Sequence, residues 1–130
     1  MEGITDALDL SVGAHHGCIL KRDASVWCWG NNSEGQLGLG LVEPGRVYAA
    51  PVKATLVSWP IKQLVSADDY RSCAILSDQT ARCWGGHATD ARDLGVRGVV
   101  SLSIGWTHMC AVSMPDETVL CWEKNLMARA

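Results

Sequence analysis

The chain has 130 residues and a formal net charge of −3, with 11 basic and 14 acidic side chains. Lysine and arginine are scattered and give no basic surplus, which argues against a nucleic-acid partner. No apolar run approaches the roughly 20 residues of a membrane-spanning helix, and the acidic start lacks the pattern of a secretory signal. Hydrophobic residues make up 48% of the chain, enough for the core of one domain.

The stretch 18–30 reads as two short strands joined by a polar turn. Cys18 and Cys28 lie symmetrically about Asp23, so a hairpin centred on that residue places the two cysteines opposite each other. Side chains point alternately to the two faces of a strand, and the residues on each face of this hairpin are apolar. We therefore expect it to be buried on both sides.

The same stretch recurs at 73–85 and 110–122, and its two cysteines are ten, ten and eleven residues apart in the three copies. Facing cysteines on paired strands lie near the Cα separation that a disulfide tolerates, about 5.5 Å. The spacing predicts three disulfides: Cys18–Cys28, Cys73–Cys83 and Cys110–Cys121. The alternative is six reduced, buried thiols. Disulfides would place the chain outside the cell or at its surface.

A short strand precedes each hairpin, at 10–13, 64–67 and 102–105. We align these strands on the serine that lies seven residues before each first cysteine: Ser11, Ser66 and Ser103. The repeats then run approximately over 11–65, 66–102 and 103–130, the last one truncated, within a single domain.

Tyr48–Lys53 reads as an additional strand, in which Pro51 marks a sheet edge because proline cannot donate to a ladder. No stretch has a sustained helical period. Several short strands in each repeat are typical of a propeller or a solenoid, so the fold class is all-β.

The first repeat carries a dense set of shared motif residues: Gly13, His16, Cys18, Leu20, Val26–Gly30, Asn32 and Gly35–Gly38. This set resembles the repeat of the regulator of chromosome condensation family. The second and third repeats match through the cysteine hairpin and its tryptophan. They depart at Arg71, where the family has histidine, and at Glu123, where it has glycine. The resemblance implies four-stranded antiparallel blades of a seven-bladed β-propeller.

The number of repeats is too small for a closed ring. Seven blades of about 50 residues need about 350 residues, whereas this chain supplies three repeats. An incomplete propeller leaves strand edges and an apolar blade face uncovered. We therefore expect self-association, or packing on the remainder of a longer propeller.

The polar residues form no recognisable catalytic or cofactor pattern. His15, His16 and Cys18 could suggest a metal site, but the short cysteine or histidine pairs of zinc sites are absent. The resemblance instead makes His16 a turn histidine that hydrogen-bonds within its own repeat. Asp68-Asp69 reads as a solvated turn. We predict no enzyme activity, no metal and no cofactor.

Tryptophan occurs six times. Three copies recur at one repeat position and should form the core between blades: Trp29, Trp84 and Trp122. Of the others, Trp106 lies in a turn beside His108, and Trp59 precedes a proline. Exposed aromatic side chains are favoured at interfaces. Trp106, His108 and Trp59 are therefore candidate contacts for a ligand or partner, although Trp59 could equally cover a blade edge.

These observations favour a non-enzymatic protein–protein interaction module. The resemblance implies that loop surfaces bind partner proteins. One alternative is a carbohydrate- or ligand-binding propeller with Trp106 and Trp59 as stacking platforms. Another, taken from one branch of the family, is guanine-nucleotide exchange on a small GTPase, which an acidic chain of three repeats fits less well.

Overall fold

The computed structural model describes residues 5–66, 70–86, 89–105 and 108–123. These residues form eleven β-strands and no helix, which confirms the all-β prediction. Accordingly, none of them belongs to a helix that could cross a membrane. The strands make three antiparallel sheets that succeed one another along the chain, and we term them blades 1, 2 and 3.

Within each blade the strands lie side by side in chain order. Blade 1 contains β1 (Ala7–Val12), β2 (His16–Lys21), β3 (Val26–Asn31) and β4 (Val47–Lys53). Blade 2 contains β5 (Ile61–Ser66), β6 (Arg71–Leu76), β7 (Ala81–Gly85) and β8 (Arg92–Asp93). The described part of blade 3 contains β9 (Val99–Ile104), β10 (His108–Ser113) and β11 (Thr118–Glu123). The predicted extra strand is β4, and its Pro51 lies on an edge strand as expected.

The three cysteine hairpins have the predicted register. In each hairpin the two cysteines are directly opposite, with Cα–Cα distances of 4.1, 4.0 and 4.1 Å. All six cysteines are bonded in the predicted pairs: Cys18–Cys28, Cys73–Cys83 and Cys110–Cys121. The structure therefore contains disulfides and not the alternative reduced thiols.

The alignment of Ser66 with Ser11 and Ser103 is wrong by one residue. Ser11 pairs with Cys18, but in blade 2 it is Val65 that pairs with Cys73. The connection between β5 and β6 is one residue longer than the connection between β1 and β2. A register shift of one residue moves every side chain of a strand to its other face.

The register defines two faces of each blade. The side that carries the disulfide is termed the downstream face, because it packs on the next blade along the chain, and the opposite side is the upstream face. Two cysteines and two apolar partners make each downstream face: Cys18, Leu20, Val26 and Cys28; Cys73, Ile75, Ala81 and Cys83; Cys110, Val112, Val119 and Cys121. One core joins the downstream face of blade 1 to the upstream face of blade 2, and a second core joins blade 2 to blade 3 in the same way.

Three leucines show how differently the upstream faces are covered. Leu10, Leu64 and Leu102 hold the same register position in blades 1, 2 and 3. Leu64 and Leu102 are 5% and 8% exposed because the preceding blade covers them, whereas Leu10 is 59% exposed. Among the described residues, no strand covers the upstream face of blade 1.

Candidate interaction surface

The seam between blades 1 and 2 is held by hydrogen bonds to the backbone carbonyl of Gln36. The Trp84 Nε1–H donates to this oxygen at 3.1 Å and the Ser72 hydroxyl donates to it at 2.8 Å. Since the single hydroxyl proton of Ser72 is used there, His16 Nε2 is the donor in its 2.9 Å contact with Ser72 Oγ. These buried side chains fix a loop of blade 1 onto blade 2.

Glycine allows this close approach. Gly38 has a φ of +71°, and a Cβ atom there would lie 3.1 Å from Trp84 Nε1 and from the Ala54 methyl group. Gly35 and Gly38 of the motif both have a positive φ, which glycine adopts without steric cost. Between them, Leu37 is fully buried in the core.

The long loop between β3 and β4 is organised by the buried amide of Asn32. Its Oδ1 accepts a hydrogen bond from the backbone N–H of Leu37 at 3.1 Å. Its Nδ2 donates to the Leu41 carbonyl at 3.2 Å and to Glu43 Oε1 at 2.8 Å. The Tyr48 hydroxyl donates to the same Glu43 oxygen at 2.9 Å. The loop therefore has a fixed conformation although most of its second half is at the surface.

The name loop surface is used here for four residues of this loop and the start of β4: Leu41, Arg46, Val47 and Tyr48. Tyr48 is half-buried, and its side chain points to the opposite face of β4 from that of Val47. Leu41 and Val47 are more than half exposed. The Arg46 guanidinium lies 4.4 Å from the centroid of the Tyr48 ring. Arginine and tyrosine are enriched at protein interfaces. The sequence patterns did not indicate this surface.

Trp59, a predicted contact residue, is half-buried at the seam between blades 1 and 2. Its ring centroid is 6.4 Å from that of Trp84, and the Arg82 guanidinium lies 4.9 Å from its centroid. The residue also packs on the core between the two blades. This position matches the alternative that Trp59 covers a blade edge.

The other two predicted contact residues belong to the entry of blade 3. His108 begins β10 and is exposed, whereas Trp106 lies outside the described residues. His108 and Trp59 are in different blades. A role of Trp106, His108 and Trp59 in ligand or partner contact stays a prediction.

The recurrent tryptophans have unequal surroundings. Trp84 is 1% exposed and packs on blade 1, as predicted. Trp29 is only half-buried: its ring lies on its own blade, so close to Gly17 that a Cβ atom there would be 2.5 Å from the ring. Packing of Trp29 on a neighbouring repeat stays a prediction, because its ring lies on the face of blade 1 that points away from blade 2. The side chain of Trp122 lies outside the described part of the chain.

The described ranges bring together no cluster of three or more histidine, cysteine, aspartate or glutamate residues that could hold a metal ion. His16 is buried in the seam, bonded to Ser72 of the next blade, a partner that the repeat pattern does not indicate. His15 is exposed beside it. Asp68-Asp69 lies outside the described residues.

Two aspartates shape the turns between the cysteine strands. The Ser25 hydroxyl and backbone N–H donate to Asp23 Oδ1 at 2.5 and 3.0 Å, and the Thr80 hydroxyl and N–H donate to Asp78 Oδ1 at 2.6 and 3.0 Å. The hydroxyl hydrogen bond, and secondly the backbone one, lowers the pKa of each carboxyl below its ordinary value. The residue after each aspartate, Ala24 or Gln79, has a positive φ. These carboxylates therefore stabilise turns.

Comparison with known proteins identifies the repeat. Two models of the regulator of chromosome condensation (RCC1) repeat match residues 8–36 and 23–75, together just over half of the chain. The curated protein Regulator of chromosome condensation of Drosophila melanogaster is 30% identical over 120 residues, which are 92% of this chain and 20% of the relative.

Solved structures share the fold. Prp20p of Saccharomyces cerevisiae has a TM-score of 0.77 at 19% identity, over 96% of this chain and 35% of that chain. The ectodomain of the receptor kinase CR4 of Physcomitrella patens has a TM-score of 0.61 at 22% identity, over 95% of this chain and 32% of that chain. The chain thus spans about a fifth of the Drosophila protein and about a third of these structures. It belongs to the regulator of chromosome condensation repeat family and forms part of a β-propeller.

Proposed function

We propose that the chain is a non-enzymatic protein–protein interaction module that binds its partner through the loop surface. One observation carries this proposal: the exposed side chain of Leu41 lies on a loop whose backbone is held by the buried amide of Asn32, and the exposed Val47 begins the strand that follows this loop. A preorganised loop loses little conformational entropy on binding, so its exposed apolar side chains can contribute fully to affinity.

The relatives support a protein partner. Prp20p was solved together with a characterisation of its binding to Gsp1p and histones. We take from this only that a propeller of this kind binds proteins, since 19% identity transfers the fold and not the partner.

We further propose an extracellular or cell-surface location. Three disulfides favour an oxidising compartment, and the neighbour from Physcomitrella patens is a receptor ectodomain. The measurement that tests the location is the redox state of the cysteines in the native source, trapped by alkylation before lysis. Recovery of mostly free thiols would contradict it.

The surroundings of Trp59 disfavour the carbohydrate alternative at that residue. A sugar stacks on an open aromatic face, but the ring of Trp59 lies against Arg82 and close to Trp84. The loop surface, with its exposed aliphatic side chains, suits a protein better than a glycan.

The test compares four immobilised chains: wild type, Leu41→Asp, Val47→Asp and the control Thr55→Asp. Thr55 is exposed in the connection after β4, away from the loop surface in sequence. Secreted and surface proteins from the native source are captured and quantified, and the same chains are applied to a glycan array.

We expect a protein that wild type and Thr55→Asp capture equally and that each loop variant captures at least about tenfold less, because a charge is then placed in an apolar contact. Capture that the loop variants leave unchanged, or glycan binding without protein capture, would overturn the proposal.

A further inference from the structure

We infer that β4 accepts an extended segment of the partner protein, which adds to blade 1 as a fifth strand. The segment pairs with the edge of β4 that faces away from β3, which we term the outer edge. This inference rests on the proposed function and states how the partner of that module binds. It uses backbone groups of β4, whereas the proposed function uses side chains of the loop surface, so the two can be tested separately.

The outer edge of β4 presents backbone hydrogen-bonding groups. In the part of the chain that the structure describes, β4 pairs with β3 alone. The Arg46 carbonyl accepts the Asn32 N–H at 2.9 Å and therefore points toward β3. Successive residues of a strand direct their backbone groups to opposite edges. The N–H and C=O of Val47 and the N–H of Ala49 consequently point away from the sheet, whereas the groups of Tyr48 point into it.

The first half of β4 lacks the features that protect an edge strand from further pairing. Natural proteins protect such edges with proline, with lysine or by keeping the edge strand very short. Pro51 and Lys53 protect the second half of β4, and blade 2 ends in the two-residue strand β8. Residues 47–50 contain neither a charge nor a proline, and three of these four residues are exposed. The open part of the edge is therefore 47–50.

This edge stays accessible in a longer propeller. Blades 1 and 2 pack through their faces, and β5 is contacted mainly by β1 and β2, away from β4. A further blade that packs in the same way covers a face of blade 1 and not the outer edge of β4. The occupant of the edge is therefore not another blade of the same propeller.

Charge identifies the kind of segment that fits. Exposed cations lie at both ends of β4: Arg46 just before its start and Lys53 at its end. The carboxylates near them, Glu43 and Asp23, already accept hydrogen bonds from other side chains of this chain. A second copy of β4 would bring like charges together in either direction of pairing, whereas a segment with acidic ends complements both cations. The occupant is therefore a segment of another protein.

The middle of the added segment should be apolar. A fifth strand lies about 4.8 Å from β4 and directs alternate side chains to the two faces of the sheet. Its side chains then lie beside Val47 on one face and beside Tyr48 on the other. Backbone hydrogen bonds supply affinity in strand addition, and such side-chain contacts supply specificity. The structure thus assigns an extended, centrally apolar segment with acidic ends as the ligand.

Two substitutions of one residue separate the edge from the loop surface. Ala49→Pro removes the outward N–H without removing a hydrogen bond to β3, whereas the control Ala49→Ser keeps that N–H. We expect the protein that wild type captures to bind Ala49→Pro at least about tenfold more weakly and Ala49→Ser unchanged. Normal capture by Ala49→Pro together with loss of capture by Leu41→Asp would overturn the inference and leave the proposed function standing. The reverse result would overturn the role of the loop surface alone.

A synthetic peptide gives a second measurement on the wild-type chain, which serves if Ala49→Pro does not fold. The peptide alternates valine and threonine and has glutamate at both ends. Methylation of the backbone nitrogens along one edge prevents its self-pairing, and a peptide methylated along both edges is the matched control. We expect the first peptide to shift the NMR signals of the Val47 and Ala49 amide protons and to slow their exchange. The Tyr48 amide should change less, because it points toward β3.

A third peptide tests the charge complementarity. It has lysine in place of glutamate at both ends and should bind at least about tenfold more weakly than the glutamate peptide. Unchanged Val47 and Ala49 amides, equal binding of the peptide methylated along both edges, or equal binding of the lysine peptide would each overturn the inference.

Discussion

The Asp9 carboxylate of blade 1 accepts a hydrogen bond from the backbone N–H of Leu64 in blade 2, at 2.8 Å. Leu64 lies on β5, an edge strand, so this N–H points away from the rest of its own sheet. The other Asp9 oxygen accepts the N–H of Leu10 at 2.9 Å. One side chain therefore satisfies an edge-strand donor and joins two blades.

Replacing Asp9 with alanine should lower the free energy of unfolding by about 1–3 kcal/mol, because the Leu64 N–H loses its charged acceptor. Asp9→Asn, which keeps an acceptor oxygen, should lose less. Denaturant unfolding in dilute protein measures both, with Asp90→Asn, an exposed carboxylate, as the control. Equal stability of Asp9→Ala and wild type would show that solvent replaces the contact without cost.

The two tryptophans of blades 1 and 2 should differ in their contribution to stability. Trp84→Ala removes a fully buried indole and should cost about 3–5 kcal/mol. Trp29→Ala should cost less, since its side chain is partly exposed whereas that of Trp84 is not. Equal losses, measured by urea unfolding, would mean that the upstream face of blade 1 is covered even in dilute solution.

Ser72→Ala should cost about 1–3 kcal/mol, because it removes the hydroxyl between His16 Nε2 and the Gln36 carbonyl inside the buried seam. Ser72 and Trp84 share that carbonyl as acceptor. The double variant Ser72→Ala with Trp84→Phe should therefore be non-additive in a double-mutant cycle. Strict additivity would indicate two independent contacts.

Stability should depend on pH in the acid range through Asp23 and Asp78. Their pKa values are lowered from the ordinary 3.8 in the folded state, so the carboxylates favour folding fully above 3.8. This contribution is lost as the pH falls through the lowered folded value. Asp23→Asn with Asp78→Asn should be less stable than wild type at pH 7, and the difference should shrink below pH 3.8. A difference that stays constant down to strong acid would contradict the pKa direction.

The disulfides should be reduced in a defined order when the protein is dilute. Thiol–disulfide exchange needs access of the attacking thiolate to sulfur. Cys121 is exposed, whereas all four cysteines of the other two pairs are buried between blades. Timed alkylation and peptide mapping should find Cys110–Cys121 reduced first. Earlier reduction of Cys73–Cys83 would show that blades 2 and 3 separate readily.

Local patterns were sufficient to predict the blades. The cysteine spacing and the alternation around it placed β2, β3, β6, β7, β10 and β11, since strand pairing in a hairpin is set by the turn between its strands. The register of β5 was missed because the longer turn after it shifts the pairing by one residue. The two-residue strand β8 is too short to carry any periodic signal.

The contacts between blades could not be predicted from the sequence patterns, for a different reason. Asp9 and Leu64, or Gln36 and Trp84, are far apart in the chain, and their pairing depends on how one sheet packs on another. The motif around Gln36 could be recognised in the sequence. The sequence pattern does not indicate that the Gln36 backbone carbonyl accepts the hydrogen bonds of the seam. The loop surface was missed because exposure of Leu41 follows from the fold around Asn32 and not from local composition.

The confinement of every disulfide to a single hairpin has a consequence for the evolution of the gene. Each cross-link closes within ten or eleven residues, so no blade shares a cysteine with another. Duplication or deletion of a whole blade therefore leaves no odd thiol and requires no re-pairing during oxidation. The covalent framework therefore sets no limit on the number of blades in such an array.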